Sequence, residues 1–192
     1  MSVRVVAFAR FPTPGKAKTR LIPALGPEGA AAMHRYLVER TIEAVRASGL
    51  PFELRVTGAL PGDFRDWLGP VAAVDQGEGG LGERLERAGP PYPTIFIGAD
   101  APDLRPEHLR AAADALAHTS AAIGPAEDGG YWLFGLARDV SGVFDGVDWG
   151  TDAVFAQTLA RLRATGVEPA ILPTLADLDR PEDLARWPEL GA

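Results

Sequence analysis

VRVVAFARFPTPGKAKTRL, residues 3–21, passes from an apolar run into a loop that no regular element can continue. Val3 to Phe8 is apolar and β-branched, as a buried first strand requires. Pro12, Pro14 and Gly15 then forbid a helix, and Gly15 lets the backbone approach a ligand closely. Arg10, Lys16, Lys18 and Arg20 place four cations within eleven residues. Like charges crowded on one loop repel one another and call for an anion to share. A di- or triphosphate is the natural one, and a merely solvated basic loop is the alternative. The loop is not a Walker loop, since GxxxxGK[ST] is absent.

Outward from this stretch, apolar β-branched runs alternate with helical periodicity. Phe52 to Thr57, Val71 to Val74 and Thr94 to Ile97 read as further buried strands. Residues 27–48 carry Leu37, Val38, Thr41, Ile42 and Val45 on one helical face, with Pro27 suited to the first turn. The same spacing recurs at Leu109, Ala112, Ala113 and Leu116 after Pro106, and at Val154, Phe155, Leu159 and Leu162. Strand and helix in alternation predict an α/β fold with right-handed crossovers and a mainly parallel sheet covered on both faces. In such sheets ligands bind beyond the carboxyl ends of the strands. With 192 residues, 46% of them hydrophobic, and no internal repeat or linker, one domain over 1–192 is expected.

Charge and composition narrow the chemistry. A net charge of −7 provides no diffuse positive field, so nucleic acid and anionic membrane are not expected partners. The apolar start is short and soon meets Pro12, which reads as a strand and implies a cytoplasmic protein. The chain has no cysteine, so a metal must be held by oxygen or by the three histidines, which favours a hard ion such as Mg²⁺ or Mn²⁺. His34, His108 and His118 fall in expected helices without ligand spacing and read as surface or packing residues. Lys16 and Lys18 are the only lysines, so 17 of the 19 basic residues are arginine. Two compact ammonium groups kept in one loop fit a phosphate site, whereas codon bias would leave them there by chance.

Three more motifs carry carboxylates. IFIGADAPDL, residues 95–104, ends a hydrophobic strand in Asp100, where a divalent ion could bridge the carboxylate and phosphate oxygens. Asp103 reads equally well as a cap for the helix near Pro106. GPAEDGGYWLFGL, residues 124–136, leads an acidic turn into another strand. Asp128 there is a candidate catalytic base, and Gly129, Gly130 and Tyr131 are candidate contacts to a sugar or acceptor, although an Asx turn would use the same residues. ADLDRPEDL, residues 176–184, sets Asp177 and Asp179 before a helix start at Pro181; capping accounts for one, and Asp179 is the candidate second metal ligand. Trp149, in VDWGTD, would cover the cleft or simply pack near a helix start.

Taken in order, PGKAKTRL, GADAPDL, GPAEDGGYWLFGL, VDWGT and DLDRPEDL resemble the DUF2064 family, also labelled radical-SAM/selenodomain-associated transferases, within the nucleotide-diphospho-sugar transferase superfamily. The AKTRL stretch is also similar to phospholactate guanylyltransferases, and DRPEDL to cytidylyltransferases that activate acid sugars. The resemblance implies a GT-A-like three-layer sandwich, mostly parallel with one reversed strand, and a nucleotide over the first loop with a divalent metal. It puts Lys16, Lys18 and Arg20 on phosphate-contacting positions and Asp100 and Asp179 on the metal. The chain lacks the glycine-glycine start and RMG tripeptide of sugar nucleotidyltransferases, and has Asp100-Ala101-Pro102-Asp103 where a DxD would stand. The implied reaction is glycosyl transfer from a nucleotide sugar to a small-molecule acceptor. The alternatives are nucleotidyl transfer from a nucleoside triphosphate, releasing pyrophosphate, and a nucleotide-binding module without turnover.

Replacing Lys16 and Lys18 together by arginine keeps the charge but changes its shape and hydration, and is expected to weaken nucleotide binding in calorimetry. Parent affinity in that variant would assign the two lysines to codon usage.

Overall fold

The computed structural model describes residues 2–190. Seven strands form one sheet: β1 (Arg4–Arg10), β2 (Phe52–Thr57), β3 (Ala73–Asp75), β4 (Thr94–Ile97), β5 (Ala121–Pro125), β6 (Tyr131–Leu136) and β7 (Ala170–Ile171). Their spatial order is β3-β2-β1-β4-β6-β5-β7. Neighbours pair in parallel except at β6, which runs against both β4 and β5. The architecture is therefore the expected α/β sheet with one reversed strand.

Alternation along the central strands sends side chains to both faces, and each face has its own helices. Val5, Ala7, Ile95 and Ile97 pack with Val38, Ile42 and Val45 of α1 (Ile22–Ser48) and with Leu109 and Ala112 of α4 (Pro106–Leu116). The helix α2 (Pro61–Leu68) adds Phe64 and Leu68 to the same side. On the other face Val6, Phe96, Ile123 and Phe134 meet Leu85 of α3 (Leu81–Ala88) and Leu162 of α5 (Val154–Ala164). α1 is broken near its start by Gly26, at φ 70°, so that its long regular part begins at Pro27 as the sequence predicts. Among the described residues no helix is long and apolar enough to cross a membrane.

Two features of the topology position the site. The antiparallel register, with Ile97 opposite Leu133 and Thr94 opposite Leu136, brings the start of β6 to the edge where β1 and β4 end. A third apolar cluster, with Leu21, Met33 and Leu37 against Ala176, Leu178 and Trp187, fastens residues 176–187 beside the loop after β1. Four segments distant in sequence thus meet at one sheet edge.

Phe134 is fully buried and touches Phe96, Tyr131 and Phe144. Phe134→Ala should lower stability by about 3–5 kcal/mol in urea unfolding, because the cavity it leaves is walled by rigid strands.

Candidate functional site

The loop after β1 does not leave its two lysines side by side. Lys16 is exposed, whereas the Lys18 side chain is only 4% exposed. Lys18 is the one non-glycine residue with positive φ among the described residues, at 47°. Its Nζ donates to the carbonyl oxygen of Leu178 at 2.5 Å and pairs with Oδ1 of Asp100 at 2.6 Å and Oδ1 of Asp179 at 3.4 Å. Arg20 takes the other oxygen of Asp179 at 2.5 Å. The backbone repeats the connection, with Leu178 N–H donating to Asp100 O at 2.8 Å. Asp100 and Asp179, 79 positions apart in the chain, therefore converge on one cation, and that cation is a lysine.

The electrostatics follow from this geometry. Burial alone would push the Lys18 ammonium down, but the carboxylates of Asp100 and Asp179 outweigh it and hold the group above its ordinary value. The recessed position of Asp100 would raise its carboxyl, yet the Lys18 ammonium prevails and keeps it below the usual carboxylate value. Asp177 behaves oppositely. Partial burial, with Asp128 and Asp100 nearby, pushes it up to about 6. In extended backbone Asp177 and Asp179 point the same way, with Leu178 buried between them, so both carboxylates reach the cleft.

Capping does not use the residues expected to do it. Asp183 Oδ2 accepts from the N–H groups of Asp179 and Arg180, at 2.9 and 2.7 Å, and so caps the short 3-10 helix Pro181–Arg186 from inside. At the start of α4 the Arg105 N–H donates to His108 Nδ1 at 3.2 Å. Asp103 instead accepts from Trp187 Nε1 at 3.3 Å, which anchors the C-terminal segment.

Around Asp100 the surface opens into a trench of three adjoining chambers. The first, about 420 Å³, is walled mainly by apolar and aromatic groups, including Phe8, Leu81, Leu85 and Trp149, with Arg10, His34, Gln76 and Arg84 among them. The second, about 310 Å³, shares Asp100, Tyr131 and Trp149 with the first and adds Arg20, Asp128 and Asp177. The third, about 520 Å³, sets the carboxylates of Glu127, Asp128, Asp152, Asp177, Asp179 and Asp183 against the guanidinium groups of Arg20, Arg180 and Arg186. Two of those three guanidinium groups are already engaged, Arg20 by Asp179 and Arg186 by Glu127.

The acidic turn is built closely. Asp128 Oδ1 accepts from Gly130 N–H at 2.8 Å, closing an Asx turn. Gly129 lies at φ 88°, where a Cβ would fall 2.2 Å from the backbone oxygen of Asp152, so only glycine fits. Gly15, at φ 75°, turns the basic loop with nothing crowding it. The ring of Tyr131 faces the trench while its hydroxyl is buried near Thr158, and burial pushes that group up.

His34 is a packing residue that also lines the trench. It is 8% exposed, pairs through Nε2 with Arg10 O at 2.9 Å and lines the first chamber. Burial pushes its pKa down. Its place on the buried face of α1 was visible in the sequence. What it faces was not.

A hard divalent ion fits this place on chemical grounds, because the donors are all oxygen and a cation already sits among them. Among the described residues no group of three His, Asp or Glu side chains converges closely enough to hold a metal alone. An ion here would complete its shell with ligand phosphate oxygens and water, as Mg²⁺ commonly does.

The comparisons with known proteins agree with the architecture. Residues 41–151 match the family described as "Uncharacterized protein conserved in bacteria (DUF2064)". A protein of Desulfovibrio desulfuricans G20, provisionally assigned as a nucleotide-diphospho-sugar transferase, is 33% identical with a TM-score of 0.88, over 94% of this chain and 84% of that one. Rv0371c of Mycobacterium tuberculosis H37Rv, solved in complex with manganese, is 19% identical with a TM-score of 0.60, over 98% and 99% of the two chains. A nucleotidyl transferase of Methanothermobacter is 18% identical with a TM-score of 0.59, over 99% and 97%. The last two share the fold. No curated protein matches. The chain belongs to the DUF2064 family.

Raised from 3.8 to about 6, Asp177 favours the protonated folded state, so its ionisation costs stability as pH rises through that window. Asp177→Asn should therefore be more stable than the parent at pH 7, by about 1 kcal/mol after allowance for solvent screening, with no gain below about pH 4. Urea midpoints at the two pH values measure this.

Proposed function

We propose that this DUF2064 member is a metal-dependent transferase acting as one domain over residues 1–192, moving a glycosyl group from a nucleotide sugar to a small acceptor. The single observation that carries the reading is the division of the trench: a middle chamber shares Asp100 with an apolar, aromatic chamber on one side and Arg20, Asp128 and Asp177 with an acid-rich chamber on the other. The first suits a base and ribose. Arg10 lines it, and Gly15, Lys16, Lys18 and Arg20 on the loop after β1 are the candidate partners of the phosphates. Asp100 and Asp179 would hold Mg²⁺ or Mn²⁺, which supplies charge neutralisation as the nucleoside diphosphate leaves.

The second and third chambers support one reaction type over the other. Six carboxylates against three guanidinium groups, two of them already paired, repel an incoming phosphate or carboxylate. Nucleotidyl transfer to such an acceptor is disfavoured, and a neutral hydroxyl or an amine is favoured. Asp177, at about 6, is near the value at which a carboxylate takes a proton efficiently around neutrality. With Asp128 across from it, Asp177 would receive the acceptor's proton while Asp128 holds the acceptor. Gly129 shapes that turn, and Gly130 and the ring of Tyr131 border the place where the sugar would lie. The manganese in Rv0371c and the description of the Desulfovibrio protein support the same class.

A nucleotide sugar should protect the protein from heat more than the matching triphosphate at equal concentration and Mg²⁺, and Asp128→Ala should erase the difference. Asp177→Asn should lower kcat about 10²–10⁴-fold with little change in donor KM. Preference for the triphosphate, with pyrophosphate released when acceptors are added, would move the assignment to nucleotidyl transfer.

A further inference from the structure

We propose that Lys18 is a resident counter-ion which a divalent cation must displace before it can bridge Asp100 and Asp179. The ammonium stands 2.6 Å from Asp100 Oδ1 and 3.4 Å from Asp179 Oδ1, and it also donates to Leu178 O at 2.5 Å. A divalent ion bound to the same two carboxylates would lie about 2.0–2.2 Å from their oxygens, on the ground the ammonium holds. Two cations that close repel strongly in a recessed site, so the two occupancies exclude each other.

Lys18 is not a surface side chain that happens to have found a partner. It is 4% exposed, and its backbone is in the left-handed region, at φ 47° and ψ 45°. A lysine keeps that conformation only where its surroundings hold it. The neighbouring cation, Arg20, is already bound to the second oxygen of Asp179. Among the described residues Lys18 is the only cation ion-paired to Asp100.

The displaced ammonium needs another anion. On the nucleotide-donor reading proposed above, the donor's phosphates provide it, and this is the one point at which the inference rests on that reading. Metal entry and phosphate arrival are then coupled, and by linkage each strengthens the other's binding. In the absence of nucleotide the resident lysine keeps metal affinity low.

The test uses the full chain and Mn²⁺ alone, followed by titration calorimetry or by the loss of the free-ion paramagnetic signal. Lys18→Gln and Lys18→Met should bind Mn²⁺ at least about tenfold more tightly than the parent, because one positive charge has left the site. Lys18→Arg, which keeps the charge, should stay near the parent. Adding Asp100→Asn to Lys18→Gln should remove the gain. If the neutral variants are destabilised, Mn²⁺ should raise their Tm far more than the parent's. A natively folded Lys18→Gln that binds Mn²⁺ no better than the parent overturns the proposal, as does a destabilised one whose Tm Mn²⁺ fails to raise. Failure of every nucleotide to bind the parent would instead sink the donor reading and leave the Mn²⁺ comparison standing.

Discussion

One ammonium group ties the trench together. Lys18 is on the loop after β1, Asp100 on the segment after β4, and Asp179 and Leu178 on the C-terminal segment, and all of them meet at its Nζ. The hydrophobic layers make the sheet rigid, but they leave its carboxyl edge open. It is a buried, fully engaged cation that draws three chain segments into one wall. Like-charged Asp100 and Asp179 could not face the same point without a cation between them, so the geometry of the edge depends on Lys18 or on an ion that replaces it.

The reversed strand gives that wall its opposite side. In an all-parallel sheet the start of β6 would lie at the far edge, and the turn at residues 126–130 would never see Asp100. Antiparallel pairing of β6 with β4 brings Asp128 and Tyr131 across from the strand ends, and the close fit of Gly129 against Asp152 holds the turn in place. The consequence is electrostatic as well as geometric. Asp128, Asp177 and Asp183 gather in a chamber where carboxylates outnumber guanidinium groups, Arg20 of the basic loop among them, and Asp177, partly buried with Asp128 and Asp100 nearby, holds its proton to about 6.

Much of this was legible before any coordinate. Apolar period and turn chemistry identify β1, β2, β4, α1, α4 and α5, because long buried elements write their environment into every second or third side chain. They miss β5, β7, α2 and α3, whose sequences AAIGP, AI, PGDFRDWL and LGERLERA are too short or too poor in large apolar groups to show a period. The ordered motifs mark Asp100, Asp128 and Asp179 as residues of one cleft, since carboxylates after strand ends and beside paired glycines have few structural uses. Composition alone singles out the two lysines.

What the sequence by itself determined is the class of fold, the edge of the sheet where the charged motifs gather and the residue types found there, because these follow from local periodicity and from the few places a charge can stand at a strand's end. Only the tertiary structure decided who faces whom. It separated Lys16 from Lys18, put the latter between the carboxylates assigned to a metal, freed Asp177 and Asp179 from capping through Asp183, and turned His34 toward the trench. The reason is physical: periodicity is a property of neighbours along the chain. The partner of a buried charge is set by loop closure and sheet register over separations as long as the 160 residues from Lys18 to Leu178.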